Sequence, residues 1–174
     1  IERAEADLRA LLDVPADYRV LFLQGGATQH FAQIPMNLLG GGSADYVVTG
    51  AWSKKACDMA GALAPHIGAR VRVAASTAEA GFRALPAQYD VDAGAAYLHL
   101  CTNETVHGVE YLDPEQLPDT PAPLVADMSS HILSRPLDVR RYGMIYAGAQ
   151  KNIGPSGLVL AIVREDLLDR AWAG

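Results

Sequence analysis

The sequence predicts one domain of the α/β class, with a mostly parallel sheet of about seven strands and helices on both faces. Short apolar runs of strand length alternate along the chain with helical patterns or longer connections. The chain has 174 residues, of which 50% are hydrophobic, which is enough to bury one core. Polar residues or glycines repeatedly follow the predicted strands, a pattern typical of ligand sites at the carboxyl edge of a parallel sheet.

Composition narrows the function classes. The net charge is −6, and no run of Lys and Arg is long enough for a nucleic-acid surface. No apolar stretch is long enough for a membrane span or a secretion signal, and two widely spaced cysteines favour a reducing cytoplasm. The histidines lack metal-ligand spacing, so no metal site is expected. Because the chain opens inside a helical pattern without an initiator methionine, we expect the natural N-terminus to be missing.

The first half of the chain predicts three strands with helices between them. Residues 2–12 form an amphipathic helix that Pro15 closes. Residues 19–23 form a strand, a glycine turn follows at residues 25–28, and apolar residues then recur at helical spacing. A second strand at 46–48 leads to a helix over 53–63 with Ser53 as its N-cap. A half-exposed strand is predicted at 71–73.

The second half continues the alternation. Residues 78–85 predict a weak helix, and buried strands follow at 95–100 and 124–126, separated by an irregular proline-rich connection. Apolar runs at 144–149 and 158–163 predict the last two strands. Because the link between them is too short for a crossover helix, we expect the final strand to run antiparallel.

Lys151 is the most informative single residue, since it follows a buried strand and precedes a Gly-Pro-Ser-Gly turn. A lysine desolvated in such a place loses part of its preference for the charged form, and the neutral amine forms Schiff bases with carbonyl compounds and pyridoxal phosphate. Taken alone, a lysine that extends from a strand end into solvent is the simpler interpretation.

Three other strand ends carry candidate ligand groups. The turn that ends in Ala27 and Thr28 would present backbone amides to a phosphate at a helix N-terminus, although such turns often bind nothing. Asp127 could pair with a protonated pyridine nitrogen, or it could serve as an N-cap or structural hydrogen-bond acceptor. Trp52 could stack on an aromatic cofactor or belong to the core or an interface.

Six segments together resemble the phosphoserine aminotransferases, which are fold-type-I enzymes dependent on pyridoxal phosphate. The segments are residues 24–28, 44–47, 49–52, 103–105, 126–136 and 146–157, and the last two are close to a family signature. The resemblance implies that Lys151 forms the Schiff base, that Asp127 pairs with the pyridinium nitrogen and that Trp52 stacks on the ring. It implies also that Thr105 and Gln150 hydrogen-bond the cofactor and that Ala27 and Thr28 hold its phosphate.

The same resemblance implies an enzyme of serine biosynthesis. It would transfer the amino group of phosphoserine to 2-oxoglutarate, giving 3-phosphohydroxypyruvate and glutamate, and would catalyse the reverse reaction. It would act as a homodimer in the cytoplasm, without nucleic-acid or membrane partners. The family's chains are about twice as long, so residues 1–174 are expected to be an incomplete large domain that lacks an N-terminal segment and a C-terminal small domain. Thr28 stands where many relatives have arginine. The alternatives are another fold-type-I enzyme, such as a cysteine desulfurase or a lyase, and a catalytically inactive fragment.

Overall fold

The computed structural model describes residues 1–170, which form three α-helices and nine β-strands. The helices are α1 (Glu2–Leu12), α2 (Ala27–Leu38) and α3 (Ala51–Leu63). The strands are β1 (Tyr18–Gln24), β2 (Ser43–Val48), β3 (Arg70–Ser76), β4 (Leu98–Cys101), β5 (Asn103–Glu104), β6 (Val109–Glu110), β7 (Leu124–Asp127), β8 (Met144–Gly148) and β9 (Leu158–Arg164).

Seven strands form one sheet in the order β1-β9-β8-β7-β4-β2-β3. The pairs from β3 through β2, β4 and β7 to β8 are parallel, whereas β9 is antiparallel to both of its neighbours. The predicted sheet, mostly parallel with one antiparallel final strand, is therefore confirmed. Strands β5 and β6 pair separately as a short antiparallel hairpin directly after β4.

Both faces of the sheet are covered, which explains why its central strands are buried at every position. Successive side chains of β8 alternate between two clusters, with Tyr146 on the face that packs against α2 and α3, and Ile145 on the opposite face. Leu8 and Leu12 of α1 belong to the second cluster, together with side chains of the irregular segment between β6 and β8.

Two helix predictions were wrong, one in its extent and one in its start. Residues 78–85 form only a short 3₁₀ turn at Ala78–Ala80, because Gly81 adopts the left-handed conformation with φ 68° and ends it. Helix α3 begins at Ala51, so Ser53 lies in its first turn rather than at the N-cap. The Ser53 hydroxyl still bonds the preceding backbone, accepting from the N–H of Thr49 at 2.9 Å.

The topology brings the loops after β1, β2, β4, β7 and β8 to one edge of the sheet. These five strands all run in the same direction, because β2, β4, β7 and β8 pair in parallel and β1 and β8 are both antiparallel to β9. Within residues 1–170, no helix is long and apolar enough to cross a membrane.

Candidate functional site

A cleft of about 390 Å³ opens at this edge of the sheet. It lies between the N-terminus of α2, the start of α3 and the loops after β4, β7 and β8. The predicted site residues that line it are Ala27, Thr28, Trp52, Asp127, Gln150 and Lys151. The topology of the sheet therefore gathers groups that are more than one hundred residues apart in the chain.

Lys151 lies in the turn that joins β8 to β9, and its side chain is exposed at the cleft. Its Nζ is 5.6 Å from the centroid of the Trp52 ring, within cation–π range. Of the two interpretations of Lys151 that the sequence allows, exposure at the end of the strand is the one that the structure shows. Its turn is held by Asn152, whose Nδ2 donates to the carbonyl of Ile132 at 2.7 Å, and by the N–H of Gly154, which donates to the carbonyl of Ala149.

Asp127 is the last residue of β7 and is only 6% exposed. Its Oδ1 accepts from the backbone N–H of Ser129 at 2.9 Å and from the Ser129 hydroxyl at 2.6 Å. The same hydroxyl accepts from the N–H of Gly148 at 3.0 Å, which ties the Asp127 loop to the end of β8. Burial raises the pKa of the Asp127 carboxyl, while the Ser129 hydrogen bonds and the Lys151 charge act in the opposite direction.

The turn before α2 brings backbone amides to the cleft. Gly25 has φ 118°, a conformation that favours glycine, and its N–H donates to the carbonyl of Gly157 at 2.9 Å. Helix α2 then begins at Ala27 with Gly26 as its N-cap. The first-turn amides of a helix have no intrahelical acceptors, and the helix dipole places partial positive charge there, so the groups at Ala27 and Thr28 favour an anion.

Trp52 lies in the first turn of α3 and is half-buried, and its ring lines the cleft. Its indole Nε1 is buried without a hydrogen-bond partner among the described residues. A buried N–H of this kind is uncommon in folded proteins. The ring combines a flat apolar surface facing the cleft with a polar group that has no protein acceptor.

Thr105 is the one predicted site residue that the structure places elsewhere. It is exposed in the turn between β5 and β6 and does not belong to the cleft lining. Asn103, two residues earlier, does line the cleft. The structure also adds Phe31, Cys101, Ser129 and Ser130 to the lining, none of which had been singled out from the sequence. Position directly after a strand was the available signal for Asn103 and Ser129.

Comparison with known proteins links this chain to a family. The model of the aminotransferase class-V family matches residues 1–173. The phosphoserine aminotransferase of Aromatoleum aromaticum is 69% identical over 173 residues, covering 98% of this chain and 47% of the relative. The phosphoserine aminotransferase of Pseudomonas aeruginosa is 58% identical over 173 residues, covering 97% of this chain and 46% of the relative.

Solved structures agree with the sequence matches. Phosphoserine aminotransferase from Bacillus circulans subsp. alkalophilus superposes with a TM-score of 0.88 at 47% identity, covering 98% of this chain and 46% of that one. The pyridoxal phosphate-bound phosphoserine aminotransferase from Trichomonas vaginalis gives a TM-score of 0.86 at 41% identity, covering 97% of this chain and 49% of that one. The chain spans about half the length of these relatives. Since the family model covers nearly every residue and the fold agrees, the chain belongs to the class-V aminotransferases.

Proposed function

We propose that residues 1–174 are the cofactor-binding large domain of a phosphoserine aminotransferase dependent on pyridoxal phosphate. The observation that carries this proposal is the convergence of Asp127, Trp52 and Lys151 on one cleft beside the N-terminus of α2. The high identity to enzymes named phosphoserine aminotransferase supports the choice of substrate pair. The enzyme would transfer the amino group of phosphoserine to 2-oxoglutarate, giving 3-phosphohydroxypyruvate and glutamate, and would catalyse the reverse reaction.

The cleft suits pyridoxal phosphate in three respects. The α2 N-terminus offers unpaired amides to the phosphate, and a Cβ built on Gly26 meets nothing within 4 Å, so the backbone there is open to a ligand. The Trp52 ring offers a flat apolar surface to the pyridine. Ser129 uses Oδ1 of Asp127, which leaves Oδ2 without a donor among residues 1–170 and able to meet a cation.

When bound, pyridoxal phosphate supplies an electron sink that stabilises negative charge on the substrate Cα. Lys151 would hold the cofactor through its Nζ and, as a free amine, would take the proton from the substrate Cα and return it during the reaction. Its exposure at the cleft leaves Nζ accessible for both tasks.

Asp127 would hold the proton on the pyridine nitrogen. A buried carboxylate is costly without a cationic partner, and a pyridinium is costly without an anion, so each stabilises the charged form of the other. Gln150 and Asn103 line the same cleft and would supply hydrogen bonds to the ring substituents. Thr105 would reach the cofactor only after movement of the turn that carries it, because its side chain is exposed outside the lining.

Substrate recognition would involve groups beyond these. No arginine belongs to the cleft lining within the part of the chain that the structure describes. Both proposed substrates carry carboxylates, for which arginine is the usual bidentate partner. The assignment to a homodimer in the cytoplasm rests on the family resemblance, and the partner subunit would contribute further contacts to the cofactor phosphate.

A transamination assay on the full-length protein that contains this chain tests the proposal. Phosphoserine and 2-oxoglutarate are supplied with pyridoxal phosphate, and glutamate formation is coupled to a dehydrogenase. The proposal predicts glutamate release that depends on phosphoserine and is lost in Lys151→Ala. Formation of alanine from added cysteine, with sulfide released by a thiol reductant and without glutamate formation, would instead identify a desulfurase. Turnover by Lys151→Ala at the native rate would contradict the role of Lys151.

A further inference from the structure

We infer that Glu104 is a positioning residue that sets the Trp52 ring in the cleft through the N-terminus of α3. The inference rests on the proposed function, because it gives Trp52 its role as the surface on which the cofactor ring stacks. Glu104 does not line the cleft itself. It ends β5, in the hairpin that directly follows β4, and it is 0% exposed.

The Glu104 carboxylate makes three hydrogen bonds, all to the start of α3. Oε2 accepts from the backbone N–H of Trp52 at 3.0 Å. Oε1 accepts from the backbone N–H of Ser53 and from the Ser53 hydroxyl, both at 2.6 Å. Glu104 lies 52 residues after Trp52 in the chain, yet its side chain accepts from the amides that a local N-cap would normally satisfy.

The environment explains why a buried carboxylate is tolerated at this point. Helix α3 has 13 residues, and its N-terminal partial charge favours an anion. Gly50 is the residue that makes room, because a Cβ at that position would lie 2.5 Å from a carboxylate oxygen of Glu104. The Ser53 hydroxyl donates to Glu104 and accepts from the N–H groups of Thr49 and Gly50, so the end of β2 is bound into the same unit.

The arrangement gives the two buried carboxylates near the cleft different tasks. Asp127 faces the cleft, where a cationic ring nitrogen would lie. Glu104 is already matched by backbone amides and a hydroxyl, and it fixes the backbone N–H of the residue that carries the ring. Its effect on the cofactor should therefore pass through Trp52.

The first test needs no cofactor. Trp52 and Trp172 are the tryptophans of the chain, and Trp172 lies outside the described residues, so a Trp172→Phe background makes fluorescence report Trp52 alone. Glu104→Gln places an amide N–H₂ against backbone donors and should shift Trp52 emission to the red and raise its quenching by acrylamide. Glu110→Gln is the matched control, because Glu110 lies in the paired strand β6 but bonds His131 and Arg135 instead of α3. It should leave Trp52 emission unchanged.

The second test is a double-mutant cycle on pyridoxal phosphate affinity. Glu104→Gln should weaken binding by about tenfold, the effect of losing one hydrogen bond to a charged group. The loss should disappear in a Trp52→Ala background, because the residue through which Glu104 acts is then absent. Equal losses in the two backgrounds, or unchanged Trp52 emission in the first test, would overturn the inference.

A second variant guards against a folding failure of Glu104→Gln. Ser53→Ala keeps the carboxylate and its two backbone hydrogen bonds but removes the hydroxyl that donates to Glu104 and accepts from the N–H groups of Thr49 and Gly50, so it should change Trp52 emission in the same direction. Borohydride trapping of pyridoxal phosphate on Lys151 keeps the two hypotheses separate. Absence of label in the native protein would contradict the proposed function, whereas native labelling with additive losses in the cycle would contradict only the role of Glu104.

Discussion

At the scale of single residues, Asp127 shows a conflict between stability and function. Its carboxyl is buried, its pKa is raised by that burial, and Ser129 engages only one of its oxygens. In the cofactor-free protein the ionised form therefore costs free energy of folding. The cost is expected of a residue whose proposed partner is a cationic ligand rather than a protein group.

We expect Asp127→Asn to stabilise the cofactor-free protein while it reduces transamination of the full-length enzyme at least about tenfold, the equivalent of one charge-assisted hydrogen bond. An asparagine Oδ1 can still accept from Ser129, and it carries no charge. The free energy of unfolding should rise by about 1–2 kcal/mol at pH 8, near the low end of the cost of an unpaired buried charge. Urea unfolding followed by circular dichroism measures it.

The pH dependence of that gain provides the control. A folded-state pKa raised above its unfolded value means that the native carboxyl adds least to stability at high pH, where it is ionised. The advantage of Asp127→Asn should therefore grow as pH rises through the folded pKa and vanish below the unfolded value of about 3.9. An advantage that is constant with pH would assign the effect to packing rather than to charge.

Residue roles were only partly accessible from the sequence. Asp127, Trp52 and Lys151 could be nominated because each follows an apolar strand that a parallel sheet brings to one edge. Ser129 and Glu104 could not be assigned their contacts, since a hydrogen bond between Glu104 and Ser53 depends on how β5 and α3 meet in space. The exposure of Lys151 was one of two interpretations of the sequence, and the apolar strands beside it could not decide between burial and exposure.

At the scale of elements, the start of α3 depends on close contact between backbone and side chain. Gly50→Ala would bring a Cβ to 2.5 Å from the Glu104 carboxylate, which cannot move freely because three donors hold it. We expect Gly50→Ala to lower the free energy of unfolding by about 1–3 kcal/mol, as overpacking in a buried site does. Thermal or urea unfolding of the purified variant measures the loss.

Gly61 in the same helix is the matched control. It is exposed, it lies inside α3, and a Cβ there meets nothing within 4 Å. Gly61→Ala should therefore raise stability by about 0.5–1 kcal/mol, the usual difference between the two residues in a helix. A loss in Gly61→Ala equal to that in Gly50→Ala would show that the Glu104 contact is not the cause.

Strand boundaries were predicted well at the three strands where a continuous apolar run marks the strand. The buried strands at β7, β8 and β9 were recognisable from continuous apolar runs, and the short link between the last two indicated their antiparallel pairing. The predicted helix at 78–85 failed because Gly81 terminates its first turn, a local conformational choice that weak helical spacing could not reveal. The N-cap of α3 was misplaced because the helix begins two residues earlier, where Glu104, a distant residue, accepts from the first-turn N–H groups of Trp52 and Ser53.

At the scale of the whole molecule, the described residues form a seven-stranded sheet with an apolar groove beside it. The groove lies between α2 and strands β1 and β9, and Leu21 and Leu168, which line it, are 37% and 40% exposed. Exposed apolar surface of this kind promotes association. The sheet itself is expected to fold, since both of its faces are covered by buried side chains.

We expect the 174-residue chain on its own to fold but to show no measurable phosphoserine transamination. Positioning of the substrate can supply several kcal/mol of barrier reduction, and the cleft lining within residues 1–170 offers no arginine for the substrate carboxylates. The coupled glutamate assay, run beside a full-length relative as positive control, measures this. Turnover close to that of the relative would show that the cleft lining is sufficient for substrate recognition.

The central claim, that Lys151 holds pyridoxal phosphate in this cleft, is tested most directly by borohydride reduction followed by peptide mapping. The lysines of the chain are Lys54, Lys55 and Lys151, and Lys55 also lies near Trp52, with Nζ 6.0 Å from the ring centroid. We predict a pyridoxyl phosphate label on Lys151, at one equivalent per chain in the full-length protein. A label on Lys54 or Lys55 with Lys151 unmodified would contradict the account.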